Sequence, residues 1–266
     1  MQLATVRFAA GTAAAARIDD SWHELGAPDL SALLASGADC RPGAPIDGAV
    51  PVLPLPRPEK VVCCGLNYGD HISETGRAEP SHPTLFAKYA DTLIGPGSDI
   101  TVPAGLQVDW EAELAVVVGR ELRNATVLEA EDGIAGYTVA NDISIRDWQC
   151  RTPQWFQGKA WDATTPLGPV VVTPEELDPV AGIEVICRVN GLERQHGNTK
   201  TLVFDCATLL SYISTFTVLR PGDVVLTGTP GGVGMAMDPP TYLDDGDVVE
   251  TEIPGIGTLT NTVRFR

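Results

Sequence analysis

Hydrophobic positions in this chain recur at period two more often than at helical spacing, in short segments broken by glycine and proline. Gln2 to Phe8 and Ala14 to Asp19 lie either side of Gly11 and predict a strand pair. After Pro28, Asp29 to Ser36 carries Leu30, Leu33 and Leu34 at helical spacing. A connector containing Pro42, Pro45, Pro51, Pro54, Pro56 and Pro58 is stiff and poor in donors, which suits neither a helix nor a central strand. It separates a small N-terminal unit, residues 1–57, from a larger unit, residues 58–266.

In the larger unit, strands are predicted over Lys60 to Cys64, Thr84 to Lys88, Ile100 to Pro103, Tyr137 to Asp142, Pro169 to Thr173 and Val224 to Thr227. Ile183 to Val189 and Leu192 to Gln195 flank Asn190-Gly191, the strongest short hairpin signal in the chain. The tail, Asp247 to Glu252 and Gly257 to Arg264, reads as a closing hairpin around Pro254-Gly255. Helical spacing is weak over Leu128 to Ala135 and clear over Asp205 to Phe216, where Leu209, Leu210, Ile213 and Phe216 share a face. Many short strands with few helices predict an α+β, mostly β fold. The main unit is expected to be a mixed β-roll or barrel, with a small α+β unit at the N-terminus, and not a doubly wound sheet.

One segment stands out within this pattern. From Val108 to Val118, Asp109, Glu111 and Glu113 alternate with apolar residues, so a single strand would place all three acids on one face. Neighbouring acids there sit ~6.8 Å apart at a rise of ~3.4 Å per residue, and repel by roughly 2 kcal/mol at an effective dielectric of ~20. Such a stripe wants water, a positive partner or a divalent cation. A solvated strand face and a hard-metal site both satisfy it.

Composition narrows the partners. Charged residues make up 20% of the 266 and hydrophobic residues 44%, ordinary for a globular chain, but the formal net charge is -17. That charge disfavours nucleic acid and anionic membrane, which need clustered Lys and Arg. It leaves room for an anionic small molecule held by a local cation. No apolar run has the length of a membrane span, and no signal segment is visible, so the cytoplasm is the default expectation. The six cysteines show neither a Cys-x-x-Cys pair nor zinc spacing, and are expected to be reduced and structural.

Three further groups carry chemistry. His71 and Glu74, three residues apart, would share one face of a short helix, where a carboxylate can orient an imidazole for proton transfer; a plain surface pair has the same spacing. Asp142, Arg146, Gln149 and Lys159 follow within a short span. Thr227-Gly228-Thr229-Pro230-Gly231-Gly232-Val233-Gly234 is a glycine-rich loop without the Gly-Lys ending of a phosphate-binding loop, so it reads equally as an anion nest or a flexible turn.

Taken together, these strings resemble the fumarylacetoacetate hydrolase family across roughly residues 58 to 264. They are Gly65-Leu66-Asn67-Tyr68 with His71 and Glu74, Asp109-Trp110-Glu111-Ala112-Glu113-Leu114, Asn141-Asp142-Ile143-Ser144-Ile145-Arg146-Asp147, Gly158-Lys159, Pro166-Leu167-Gly168-Pro169 and Thr227-Gly228-Thr229-Pro230. The resemblance implies the family's β-roll, a homodimer, and a Mg2+ or Mn2+ ion held by Glu111, Glu113 and Asp142, with Asp109 in a supporting role. It implies that Lys159, Arg146 and Gln149 hold a 2-oxo acid substrate, that Thr229 meets its carboxylate, and that His71 and Glu74 form the acid/base pair.

The leading expectation is hydrolysis of a C–C bond in an acylpyruvate-like 2,4-dioxo acid through an enolate. Oxaloacetate decarboxylation or enol–keto tautomerisation is the alternative, followed by an isomerase or decarboxylase of aromatic catabolism. The strings Phe86-Ala87-Lys88-Tyr89-Ala90 and Gly234-Met235-Ala236-Met237-Asp238 resemble the family branch for which oxaloacetate tautomerisation rivals hydrolysis. A non-catalytic binding protein would be expected to have lost a metal ligand or the His/Glu pair, and none of these residues is missing.

Overall fold

The computed structural model describes residues 1–38, 40–69 and 79–266. Its first strands are β1 (Gln2–Phe8), β2 (Gly11–Ile18), β3 (Ser21–Glu24), β4 (Val50–Pro51), β5 (Val61–Gly65), β6 (Thr84–Lys88), β7 (Leu93–Ile94), β8 (Ile100–Val102) and β9 (Val108–Asp109). They are followed by β10 (Ala112–Val118), β11 (Ile134–Asn141), β12 (Ser144–Ile145), β13 (Thr165–Val172), β14 (Glu184–Val189), β15 (Leu192–Asn198), β16 (Val224–Leu226), β17 (Val248–Ile253) and β18 (Gly257–Phe265). Among the described residues, five short α-helices interrupt them: α1 (Leu30–Ser36), α2 (Val127–Glu131), α3 (Arg146–Gln149), α4 (Phe156–Lys159) and α5 (Cys206–Ser214). No helix among the described residues is long and apolar enough to cross a membrane.

The strands form a large mixed sheet in the order β3-β2-β1-β13-β11-β10-β16-β5-β6, and a five-stranded sheet in the order β15-β14-β17-β18-β8. This is the α+β, mostly β architecture expected. The N-terminal strands join the large sheet directly, with Gln2 opposite Val172 and Leu3 opposite Val171.

Local chemistry sets the element ends. Asp29 caps α1 by accepting from Ala32 N at 2.9 Å, and Gly37 closes it in the left-handed conformation. Asn190 and Gly191 both take positive φ, 52° and 75°, as a two-residue hairpin turn between β14 and β15 requires. The helix expected over Leu128 to Ala135 is shorter. Thr126 and Glu129 form a capping box at its start, and it ends at Glu131, so Ile134 and Ala135 belong to β11.

The acidic stretch is where the period-two reading and the structure part. It is not one strand: β9 pairs with β12, β10 pairs with β11 and β16, and Trp110 and Glu111 lie between. Nor does it have a solvated face. Leu114, Val116 and Val118 pack into a core shared with Val185, Val249 and Leu259 of the five-stranded sheet. Ala115 and Val117 pack on the other side with Leu30, Leu33, Cys63 and Leu226. A central strand covered on both faces has no wet side, so its acids must find partners inside the protein.

Candidate functional site

The acids converge where β10 and β11 end. Asp109 and Asp142 are fully buried, Glu113 is 1% exposed and Glu111 7%. Ala112 lies opposite Asn141 in the β10–β11 ladder, which brings Glu111 and Glu113 beside Asp142. One oxygen from each of Glu111, Glu113 and Asp142 lies within 4.8 Å of the other two. Asn141 holds the crossing in place: its Oδ1 accepts from Glu111 N at 3.0 Å, and Asp142 N donates to Glu111 O at 2.8 Å.

Buried cations surround the cluster. Lys159 Nζ donates to Glu111 Oε2 at 2.6 Å and to Asp142 Oδ2 at 2.8 Å. Lys88 donates to the other Asp142 oxygen. Arg146 pairs through Nη1 with Glu111 Oε1 at 2.7 Å and through Nε with Asp109 Oδ2 at 2.8 Å, and its Nη1 also donates to Gln149 Oε1 at 2.8 Å. Burial opposes the charge on Lys159, but Asp142 and Glu111 outweigh it and hold its pKa above the usual lysine value. Arg146 is held up in the same way by Glu111 and Asp109 against burial.

Asp109 does not face the cluster. It accepts from Gly234 N at 2.7 Å, Met235 N at 2.9 Å and Trp110 N at 2.8 Å, and so ties the glycine-rich loop and Arg146 to one point. That is the supporting role expected of it.

Glu113 differs from its neighbours. It accepts from Gly228 N at 2.6 Å, and among the described residues no lysine or arginine forms an ion pair with it. Burial, then the charges of Asp142 and Glu111, push its carboxyl well above the ordinary glutamate range, while Lys159 and the Gly228 amide act the other way. An all-oxygen set with one carboxylate lacking a cation fits a hard divalent ion. Oxygens ~2.0–2.6 Å from a shared ion lie within about 5 Å of each other.

A cavity of about 550 Å3 opens onto the cluster. Glu111, Glu113, Arg146, Gln149, Lys159 and Thr229 all reach its wall, and Phe86, Trp155 and Met235 make an apolar side. Gly158 lets α3 and α4 approach: a Cβ there would stand 2.5 Å from Gln149 N. Cys64 also lines the cavity, but burial and then the charge of Glu113 push its thiol up to about 12, so it stays protonated. None of the described cysteines forms a disulfide.

Of the residues singled out from sequence, seven come together here. His71 and Glu74 lie outside the described residues. Two residues were missed. Lys88 shares a strand face with Phe86 by period two, a face that turns out to meet Asp142. Gln195 gave no signal beyond its place in a hairpin. Its side chain accepts from Ala112 N at 2.9 Å and donates to Thr229 Oγ1 at 2.8 Å and Pro230 O at 2.9 Å.

Residues 60–264 match the family model described as fumarylacetoacetate (FAA) hydrolase C-terminal. The chain belongs to the fumarylacetoacetate hydrolase family. It is 44% identical over 213 residues to a human protein named as a mitochondrial oxaloacetate tautomerase, covering 79% of this chain and 68% of that one. Among solved structures, a fumarylacetoacetate hydrolase from Exiguobacterium antarcticum superposes with a TM-score of 0.90 at 34% identity, over 100% of both chains. A protein described as a 5-carboxymethyl-2-hydroxymuconate delta-isomerase from Mycobacterium smegmatis gives 0.83 at 34% identity, over 100% of this chain and 99% of the other.

These relatives correct one expectation and shift another. The human tautomerase and its counterparts from frog, cattle and rat are named as mitochondrial, which overturns the cytoplasmic default. That default rested on an unseen sorting signal. Compartment is set by receptor-read addresses and not by the physics of the folded core. The relatives' names also support the oxaloacetate alternative better than C–C hydrolysis.

Proposed function

We propose that this family member interconverts the enol and keto forms of a small 2-oxo dicarboxylic acid of the oxaloacetate type. The observation that carries the reading is the 44% identity to a protein named as an oxaloacetate tautomerase. The site chemistry supports it. Tautomerisation removes the proton from the 2-hydroxyl, re-forms the C2 carbonyl and adds a proton at C3, so it consumes no water. Negative charge gathers on the C2 oxygen in between. Lys159 and Arg146, buried and held protonated, are the groups that would stabilise it.

A Mg2+ or Mn2+ ion held by Glu111, Glu113 and Asp142 would supply Lewis-acid polarisation of the 2-oxo group when bound. Gln149 and Thr229 would orient the substrate, and the proton at C3 is assigned to His71 with Glu74 as its orienting carboxylate. A second copy of this chain is the expected partner, which light scattering checks.

The test follows the enol absorbance of oxaloacetate in the presence of Mg2+, beside cleavage assays on acetylpyruvate and fumarylpyruvate. Accelerated enol–keto exchange that is lost in Lys159→Met supports the proposal. Cleavage of an acylpyruvate without accelerated exchange would replace it with hydrolysis.

A further inference from the structure

We propose that Gln195 is a positioning residue that engages the Thr229 hydroxyl, leaving the Thr229 main-chain N–H as the loop's donor to the substrate carboxylate. The inference rests on the reading that this loop meets that carboxylate.

The argument begins at Ala112, between Glu111 and Glu113. β16 pairs with β10 only from Ala115 to Val117. Beyond Leu226 the chain still runs beside β10, with Thr227 N donating to Leu114 O at 3.0 Å, but at Gly228 it turns with φ +101°, so on this side, away from Asn141 of β11, no backbone ladder reaches Ala112. Ala112 is fully buried, so its N–H and C=O need side-chain partners. Gln195 Oε1 accepts from the N–H, and Thr229 Oγ1 donates to the C=O at 2.9 Å.

The orientation of the Gln195 amide is fixed by these neighbours. Ala112 N–H can only donate and Pro230 C=O can only accept, so Oε1 faces the first and Nε2 the second. Nε2 also donates to Thr229 Oγ1 at 2.8 Å. The threonine hydroxyl therefore receives a hydrogen bond from Gln195 and uses its single proton on Ala112 O. It has no proton left for an anion in the cavity. Among the described residues the Thr229 main-chain N–H makes no hydrogen bond.

The β14–β15 hairpin is built to deliver Gln195 to this point. The ladder passes from Cys187 opposite Gln195 to Arg188 opposite Glu193, so Arg194 is an extra residue in the register. Gly197 and Gly232 allow the contact. A Cβ at Gly197 would stand 2.3 Å from Pro230 Cβ, and one at Gly232 would stand 2.1 Å from Arg194 O.

The experiment is a double-mutant cycle of Gln195→Met and Thr229→Val, read by calorimetric affinity for oxalate with Mg2+ present. Oxalate is a planar dianion with the adjacent oxygens of a 2-oxo acid enolate, and it does not turn over. Mg2+ affinity and amide exchange over residues 228–232 are measured beside it. Each single variant is expected to weaken oxalate about tenfold, with Mg2+ affinity within threefold and faster exchange in the loop. The double variant is expected to be no weaker than either single, and Thr229→Ser to match wild type.

If Gln195→Met does not fold, Gln195→Glu replaces it, keeping the acceptor for Ala112 and losing both donors. Additive losses, a Thr229→Val defect far exceeding that of the Gln195 variant, or a parallel fall in Mg2+ affinity would overturn the proposal. Because oxalate binding does not depend on which reaction follows, a negative tautomerase assay beside a non-additive cycle rejects only the reaction assignment.

Discussion

Asp109 offers the most direct test of how the site is held. Its carboxylate is fully buried and accepts from Arg146 Nε and from three main-chain N–H groups, two of them in the loop at Gly234 and Met235. Asp109→Ala would leave those donors without their acceptor and remove one of the two carboxylates that pair with Arg146. Removing one partner of a buried ion pair costs about 3–5 kcal/mol. At roughly 2 °C per kcal/mol for a domain of this size, the midpoint of thermal unfolding should fall by roughly 6–10 °C.

Asp109→Asn keeps the volume and one acceptor oxygen, so about half that loss is expected. Far-UV circular dichroism melts, repeated in urea to check that the slope is unchanged, measure the effect. A melting point of Asp109→Ala within 2 °C of wild type would refute the assignment of Asp109 as the anchor of the loop and Arg146.

Other outcomes follow from the same geometry. Glu111→Ala and Asp142→Ala should each lower Mg2+ affinity at least a hundredfold by calorimetry, and unchanged binding would move the metal site elsewhere. Lys88→Met removes a fully buried cation from Asp142 and should lower stability by about 3–5 kcal/mol in denaturant unfolding, less if Lys159 takes over the freed oxygen. Gly158→Ala forces a Cβ against the Gln149 backbone and should cut turnover at least tenfold, whereas equal activity would show that α3 and α4 can separate freely.

Metal removal should reveal a pH dependence. The Glu113 carboxyl is raised in the folded protein, so its contribution to stability is full below the ordinary glutamate pKa and is lost as pH rises through the folded value. Chelator-treated protein should therefore lose thermal stability from pH 5 to 8, and excess Mg2+ should flatten that slope. A chelated protein equally stable at both pH values contradicts the carboxylate's burial beside Asp142 and Glu111.

Much of this was legible in the chain before any coordinates. Asn190-Gly191 sets its hairpin by local φ alone. Asp205, with Thr208 N on its side chain, starts α5 where helical spacing begins. Glu111, Glu113 and Asp142 were grouped by the resemblance to the family, because spacing alone left the acidic stripe open between a wet face and a metal site. What remained hidden depends on contacts distant in sequence. Nothing local says that the strand bearing Glu113 is covered on both faces, or that the Trp110–Glu111 step breaks it. Lys88 reads as a surface lysine until β6 is seen to end against Asp142. Gln195 reads as a polar hairpin residue until the register places an extra residue at Arg194.

The wide sequence separation of the site's contacts also bears on how the protein folds. Lys88 and Asp142 are 54 residues apart, Gln195 and Ala112 83, and Glu113 and Gly228 115. Each such contact closes a long loop, an entropic cost met before any side chain makes its bond. The cluster is thus expected to assemble late, after both sheets have formed. In stopped-flow refolding, Mg2+ capture should coincide with the last kinetic phase, which would make ion binding a readout of complete folding.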